Sequence, residues 1–185
     1  MSIFYKSLRV GKNGNLFYLY KFRTFKEGYH GGTPTAAVDD PRLTKLGSFL
    51  RKTKLDEIPI LFNLLKRDIS LVGWRPDVPL EIETLDEETK NIIFSTRPGI
   101  VSPATLWNSN EDEILKGIEN PHEFYCANIK PTKYKLNVWY IHNKNWWLDA
   151  KILFYFVIKL LGIKMSLQSI YPPDFEAHEP SRSSK

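Results

Sequence analysis

Two acidic residues stand side by side at Asp56-Glu57, with Ile58-Pro59 after them. Adjacent carboxylates can divide labour: one attacks an electrophile while the other holds a metal ion or moves a proton. A carboxylate at a helix start is also an ordinary N-cap, and the dipeptide alone favours that reading. Its neighbours shift the balance. Arg51 lies five residues upstream, Arg75 sits between Trp74 and Pro76, and Arg97 heads an Arg-Pro-Gly turn. An arginine in a rigid turn can grip phosphate with two parallel N–H donors. Taken singly, each arginine reads as a surface or structural residue. Two or three converging on one acidic pair suit phosphoryl transfer from a metal-bound diphosphate.

Other chemistries find little support. Gly28, Gly31 and Gly32 match neither a P-loop nor a dinucleotide fingerprint. His30, His122, His142 and His178 show no metal-ligand spacing and read as surface or loop residues. No nucleophile elbow is present. The single cysteine, Cys126, reads as a small buried hydrophobe; it excludes a disulfide framework and any multi-cysteine zinc site.

The elements that must position these groups follow from pattern. Residues 16–22 are aromatic-rich and read as a strand after the turn-like 11–14. Residues 27–41, rich in Gly and Pro, read as a loop, and 42–54 as a helix with Leu43, Leu46 and Leu50 on one face. A second helix starts near Asp56, because a start at Thr53 would put Pro59 in its interior. An acidic helix over 77–91, a short one over 110–117 and an aromatic one over 131–147 follow.

Trp139, Tyr140, Trp146 and Trp147 precede the apolar stretch 148–161. At about 100° per residue, Lys151, Tyr155, Lys159 and Gly162 form one narrow polar stripe, and Phe154 and Phe156 fall on the apolar arc. That suits a helix in a membrane interface, with Trp139, Trp146 and Trp147 at headgroup depth and Lys151 and Lys159 near anionic lipid. The competing reading is a core helix with two snorkelling lysines.

The chain has 185 residues, 42% hydrophobic and 25% charged, enough for one domain with a sizeable core and against wholesale disorder. Its net charge of +5 is unevenly spread. Residues 1–54 hold eleven basic and three acidic residues, 55–129 hold six and fourteen, and 130–164 hold seven and one. Basic regions can meet phosphates of nucleotides or lipids. The acidic middle and the apolar 147–161 stretch argue against nucleic acid as the partner. No run reaches the roughly 20 apolar residues that span a bilayer, and 1–10 lack a signal-peptide core.

Read together, Tyr20-Lys21-Phe22-Arg23-Thr24, Asp40-Pro41-Arg42 through Arg51, Leu55-Asp56-Glu57-Ile58-Pro59, Asn63-Leu64-Leu65-Lys66, Asp68 through Gly73, Arg75-Pro76 and Arg97-Pro98-Gly99-Ile100 form a recognisable string. Over residues 10–164 it strongly resembles the bacterial sugar transferase family. These are monotopic polyprenyl-phosphate phosphoglycosyltransferases that start capsule, O-antigen, exopolysaccharide and glycoprotein glycan assembly. The resemblance implies that Asp56 is the nucleophile on the sugar-bearing phosphate of a UDP-sugar. UMP then leaves, and undecaprenyl phosphate collects the phosphosugar from the aspartate. It implies that Glu57 holds Mg2+, that Arg51 and Arg75 lie near the phosphates, that Arg97 is a further phosphate ligand, and that Lys21 and Arg23 line the substrate site. It places the chain on the cytoplasmic face of the bacterial inner membrane.

Three departures stand out. Trp74 replaces the usual proline before Arg75, and Val101-Ser102-Pro103-Ala104-Thr105 replaces the commoner Thr-Gly-Trp-Ala continuation. Members usually carry an N-terminal re-entrant membrane helix, which the ten residues before Gly11 cannot form. Either a separate hydrophobic protein supplies it, or the chain is truncated, or interfacial helices suffice. The expected fold is α+β and predominantly helical. It comprises one catalytic domain over 1–165 with interfacial amphipathic helices, and a polar, flexible tail over 166–185. The alternative function is a non-catalytic or truncated membrane-associated partner of a glycan assembly complex.

Overall fold

The computed structural model describes residues 2–26, 28, 40–163 and 165–175; of the expected loop 27–41, only 28, 40 and 41 fall among them. The chain opens with an antiparallel hairpin, β1 (Phe4–Val10) and β2 (Leu16–Phe22), in register from Phe4 opposite Phe22 to Val10 opposite Leu16. A 3-10 turn over Lys12–Gly14 joins them. Asn13 and Gly14 both take positive φ there, which these two residue types accept most readily. β2 matches the expected strand.

Helix α1 (Lys45–Lys52) is shorter than the expected 42–54. Thr44 caps it, its Oγ1 accepting from Gly47 N at 2.8 Å, while Arg42 is engaged with Asp40 at 2.6 Å. Its end is set by Lys54 in the left-handed region, φ 58°. A Cβ on Gly47 would lie 2.0 Å from Thr24 O, so only glycine lets α1 press against the chain leaving β2. The expected helix from Asp56 is instead a 3-10 turn, Leu55–Glu57, followed by α2 (Ile60–Leu65). Pro59 sits just before α2, where its missing N–H costs nothing.

Strand β3 (Ser70–Val72) pairs in parallel with β4 (Gly99–Val101). The expected helix 77–91 is two pieces, α3 (Pro79–Glu83) and α4 (Glu87–Phe94). Asp86 restarts the helix by accepting from Thr89 N at 2.7 Å. Short helices α5 (Pro103–Trp107), α6 (Glu111–Ile114) and α7 (Pro121–Phe124) follow. α7 runs through a π-helical turn, Tyr125–Ile129, into α8 (Lys130–Asn143). The expected 131–147 helix therefore stops early: Asn145 caps a new helix, α9 (Trp146–Leu160), by accepting from Leu148 N at 2.9 Å.

The largest core cluster joins β3, β4, α5, α8 and α9 through residues such as Val101, Leu106, Leu136, Tyr140 and Ile152. The expected tail departs from the sequence reading. Ile170 and Tyr171 are buried in that core and Phe175 packs on Trp107, because 166–175 carries Leu167, Ile170, Tyr171 and Phe175 among its polar residues. Residues 176–185 lie outside the described ones. The architecture is α+β and mostly helical, as expected. Among the described residues, no helix is long and apolar enough to cross a membrane.

Candidate active site

Asn63 builds the floor. It is wholly buried on α2, where its amide accepts from Tyr20 N at 3.0 Å and donates to Tyr18 O at 2.7 Å and Asp68 Oδ2 at 2.9 Å. One side chain thus ties α2 to β2. That brings Lys21 of β2 against the 3-10 turn, where Lys21 Nζ donates to Glu57 Oε1 at 2.8 Å.

Arg75 comes from the loop after β3. Gly73 N donates to Val101 O at 3.0 Å and Gly99 N to Trp74 O at 2.8 Å, so the β3–β4 ladder continues into the loop. A Cβ on Gly99 would stand 2.2 Å from Gly73 N, so this close approach needs glycine. Trp74 is fully buried with Val10, Ile82, Ile93 and Tyr134, and its indole donates to Thr96 O at 3.3 Å. The residue that departs from the family pattern is a core anchor of this loop. Arg75 reaches Glu57 through both terminal guanidinium nitrogens, Nη2 closely to Oε1 and Nη1 at 3.5 Å to Oε2.

The two carboxylates experience opposite environments. Burial pushes the Glu57 carboxyl up, but the charges and hydrogen bonds of Arg75 and Lys21 outweigh it and hold the group well below the usual range. Burial pushes the Asp56 carboxyl up, and the Glu57 charge adds to this against Lys21, Arg51 and Lys54. Asp56 is 7% exposed, and among the described residues its side chain makes no hydrogen bond. The capping reading therefore fails for Asp56. Lys21 is pushed down by burial and partly restored by Glu57. Environments that drive neighbouring acids apart are how one site assigns two roles.

Arg51, in the last turn of α1, lies over the Phe25 ring at 5.6 Å and within electrostatic reach of Asp56. Arg23 lines the same open cleft, its Nε donating to Ser2 O at 3.0 Å. Glu111 and Asn108 close the far wall, Asn108 Nδ2 donating to Glu111 Oε2 at 2.7 Å, and the Glu111 charge also acts on Arg75. Arg97 does not join them. It is exposed at the turn before β4 and does not line the cleft.

A model of the family described as bacterial sugar transferase matches residues 1–162. The chain belongs to that family. It is 35% identical over 159 residues to the uncharacterized sugar transferase EpsL of Bacillus subtilis (strain 168), covering 86% of this chain and 70% of EpsL. It is 36% identical over 157 residues to the galactosyl transferase CpsE of Streptococcus agalactiae serotype III, covering 78% of this chain and 31% of CpsE. It is 34% identical over 166 residues to the undecaprenyl-phosphate galactose phosphotransferase of Salmonella typhimurium, covering 81% of this chain and 31% of that protein. The chain thus spans under a third of two of these relatives.

Around the cleft, this family member exposes Leu46 and Phe49 on α1, Leu55 and Ile58 beside Asp56, and Leu61 and Leu65 on α2. A soluble surface rarely gathers that much apolar area. Of the leucines that share one face in sequence, Leu46 is exposed while Leu43 and Leu50 are half-buried. Helix α9 is split. Leu148 and Ile152 are core, while Trp146, Trp147, Phe154, Val157, Leu160 and Leu161 are exposed. Lys151 lies over the Trp147 ring at 5.9 Å. Two residues of the α9 polar stripe turn back onto the protein: Lys159 Nζ donates to Leu106 O at 2.7 Å and the Tyr155 hydroxyl meets Ser169 Oγ at 2.9 Å. Trp139 and Phe156 pack against the core rather than standing clear of it.

Sequence reasoning missed a second set. Asp77 follows the Arg75 loop and is buried. It takes Lys133 Nζ at 2.9 and 3.1 Å and the Tyr134 hydroxyl at 2.5 Å, both from α8. Lys133 also donates to the Tyr125 hydroxyl at 2.8 Å. Arg9 Nη1 donates to Pro76 O at 3.2 Å, and Val10 N to Asp77 O at 3.1 Å. This network fixes the loop from behind. Nothing local in sequence pairs residue 77 with 133.

Proposed function

We propose that this chain carries the catalytic domain of a phosphoglycosyltransferase that moves a sugar-1-phosphate from a UDP-sugar to undecaprenyl phosphate, starting a bacterial surface glycan. The observation that carries the proposal is the split between neighbours: Asp56 is buried and unbonded, while Glu57 is clamped by Arg75 and Lys21. The acceptor comes from relatives whose names state it, such as the Salmonella galactose phosphotransferase.

In this mechanism an Asp56 carboxylate oxygen attacks the phosphorus that bears the sugar. A new O–P bond forms, the bond to the bridging oxygen breaks, and its electron pair leaves with UMP. A polyprenyl phosphate oxygen then attacks the same phosphorus, and the aspartyl O–P bond breaks to restore the carboxylate. Lys21, Arg51 and Arg75 screen the phosphate oxygens, so that one anion can approach another. Glu57 aims Arg75 and Lys21 rather than attacking, since its own oxygens are engaged.

The residues present fit Mg2+, which takes one or two carboxylate oxygens and completes its shell with phosphate and water. Glu57 Oε2, held only by a 3.5 Å contact, and the Asp56 carboxylate would hold it. When bound with the diphosphate, it would neutralise charge on the phosphate oxygens. Three nearby cations disfavour it there without the diphosphate. We further propose that the exposed apolar residues of α1, α2 and α9 lie against the cytoplasmic face of the inner membrane, where a polyprenyl substrate resides.

The test is membrane-reconstituted protein with a panel of UDP-sugars and magnesium, read by UMP release and by the labelled covalent adduct. Asp56→Asn is expected to lower both by roughly ten-thousandfold. Substantial turnover in that variant, or full activity in excess EDTA, would overturn the nucleophile or the metal role respectively.

A further inference from the structure

A second chemistry-bearing cluster lies where α3 meets the rod of α7, the π-turn and α8; of its members only Glu81 also borders the cleft. His122 stands in α7 and Cys126 four residues on, inside the π-turn. π-Turns are rare and recur at functional sites. Facing both is Glu81 of α3, which is 5% exposed.

The contacts are those of three lone-pair atoms around a gap. His122 Nε2 lies 3.5 Å from Glu81 Oε1 and 3.8 Å from Cys126 Sγ. All three donor atoms lie within 4.8 Å of one another. A tetrahedral zinc ion, with bonds of about 2.0–2.3 Å, spaces such atoms roughly 3.3–3.6 Å apart. The two contacts of His122, at 3.5 and 3.8 Å, lie close to that spacing, and the third separation is within 4.8 Å. Lys130 holds the carboxylate from its other oxygen. Its Nζ pairs closely with Glu81 Oε2 and donates to Glu81 O at 3.0 Å and Thr84 Oγ1 at 2.7 Å. That arrangement orients Oε1 toward the imidazole. The partly exposed His122 and Cys126 leave a fourth position to water. His122 Nδ1 is buried and has no hydrogen-bond partner among the described residues. The imidazole is thus engaged only through the nitrogen that faces the carboxylate and the sulfur.

The geometry points to a zinc-type divalent cation site made by Glu81, His122 and Cys126, separate from the Asp56 centre. The donor set decides the metal class: one sulfur, one imidazole nitrogen and one carboxylate oxygen select zinc over magnesium or calcium. Binding forms the metal–sulfur bond and releases the thiol proton to solvent. The bound ion staples α3 to the α7–α8 rod. It so fixes the segment that leaves the Arg75 loop, without touching the reacting atoms. The sequence signal was a His-x-x-x-Cys pair on one helical face, which comparing histidines only with one another does not reveal.

The experiment uses the full chain stripped of metal by EDTA dialysis and titrated with Co2+ and with Zn2+ near neutral pH. One equivalent of Co2+ is expected to give tetrahedral d–d bands with a thiolate-to-cobalt charge-transfer band. Zn2+ is expected to displace it stoichiometrically and to raise the melting temperature. Cys126→Ser should abolish the charge-transfer band, and His122→Gln should weaken binding at least about tenfold. Asp56→Asn should leave both unchanged. The absence of a charge-transfer band in the unaltered chain would overturn the site whether or not the variants fold. Metal binding unaffected by both Cys126→Ser and His122→Gln would overturn it equally.

Discussion

Two buried acid–base clusters flank Arg75, one ending at Asp56-Glu57 and the other centred on Asp77. Around Asp77 both carboxylate oxygens are engaged, by Lys133 on each and by the Tyr134 hydroxyl on Oδ2, and Lys133 is itself shared with Tyr125. Around Asp56-Glu57 the cations converge on Glu57 alone, and Asp56 stays buried without a bond of its own. Burial of a charge is therefore not what distinguishes the proposed nucleophile. Both clusters bury carboxylates, and only one leaves lone pairs unspent. The saturated cluster stiffens the loop, and the unsaturated one faces the cleft.

The contrast can be broken at its strongest point first. Asp77→Asn leaves Lys133 as an uncompensated buried charge, and about 3–5 kcal/mol of stability should go, a melting-temperature fall of roughly 10 °C by calorimetry. Glu57→Gln strands Arg75 and Lys21, but the site is partly open to water. About 2 kcal/mol is expected at neutral pH by denaturant titration. The folded-state carboxyl of Glu57 is depressed, so its contribution is present above the unfolded value of about 4.3 and is lost as pH falls through the folded one. The gap between Glu57→Gln and the parent should close in acid. Asp56 carries the opposite sign. Its raised carboxyl costs stability as pH climbs, so Asp56→Asn should melt slightly higher than the parent at neutral pH and no higher below about pH 4. A lower melting point at neutral pH would mean that Asp56 is saturated after all. The smallest effect is expected at Lys54, whose charge holds the Asp56 carboxyl down. Lys54→Asn keeps a residue that accepts positive φ and removes the charge. The acid limb of kcat/KM should move to higher pH with the plateau unchanged.

Much of the site was legible because its members are sequence neighbours or sit at turn signals. Asp56-Glu57 announced itself by adjacency and Arg75 by its proline, whereas Lys21 came only from the family resemblance. Arg97 was singled out on the same kind of signal; its turn is present, but the residue is exposed and does not line the cleft. Asn63 and the Asp77–Lys133 pair were invisible, since a buried amide or an ion pair across 56 residues leaves no periodic trace. The fold class followed from helical patterning, but helix ends did not. Thr44, Asp86 and Asn145 cap where the apolar pattern alone runs on. Leu46 and Phe49 have core-like spacing yet face outward, because a one-dimensional pattern cannot tell protein interior from another apolar surrounding.

The parallel pairing of β3 with β4 also sets an order of events in synthesis. β3 has no partner until residues 73–98 have been made and folded back, and that closure costs entropy before any ladder bond repays it. Asp56 and Glu57 leave the ribosome early. The bond from Gly99 to Trp74 and the arrival of Lys133 at Asp77, which together immobilise Arg75, come only after most of the domain has emerged. A nascent or C-terminally clipped chain thus displays the acidic pair without its guanidinium clamp. The structure makes completion of α8 a checkpoint on assembly of the candidate site.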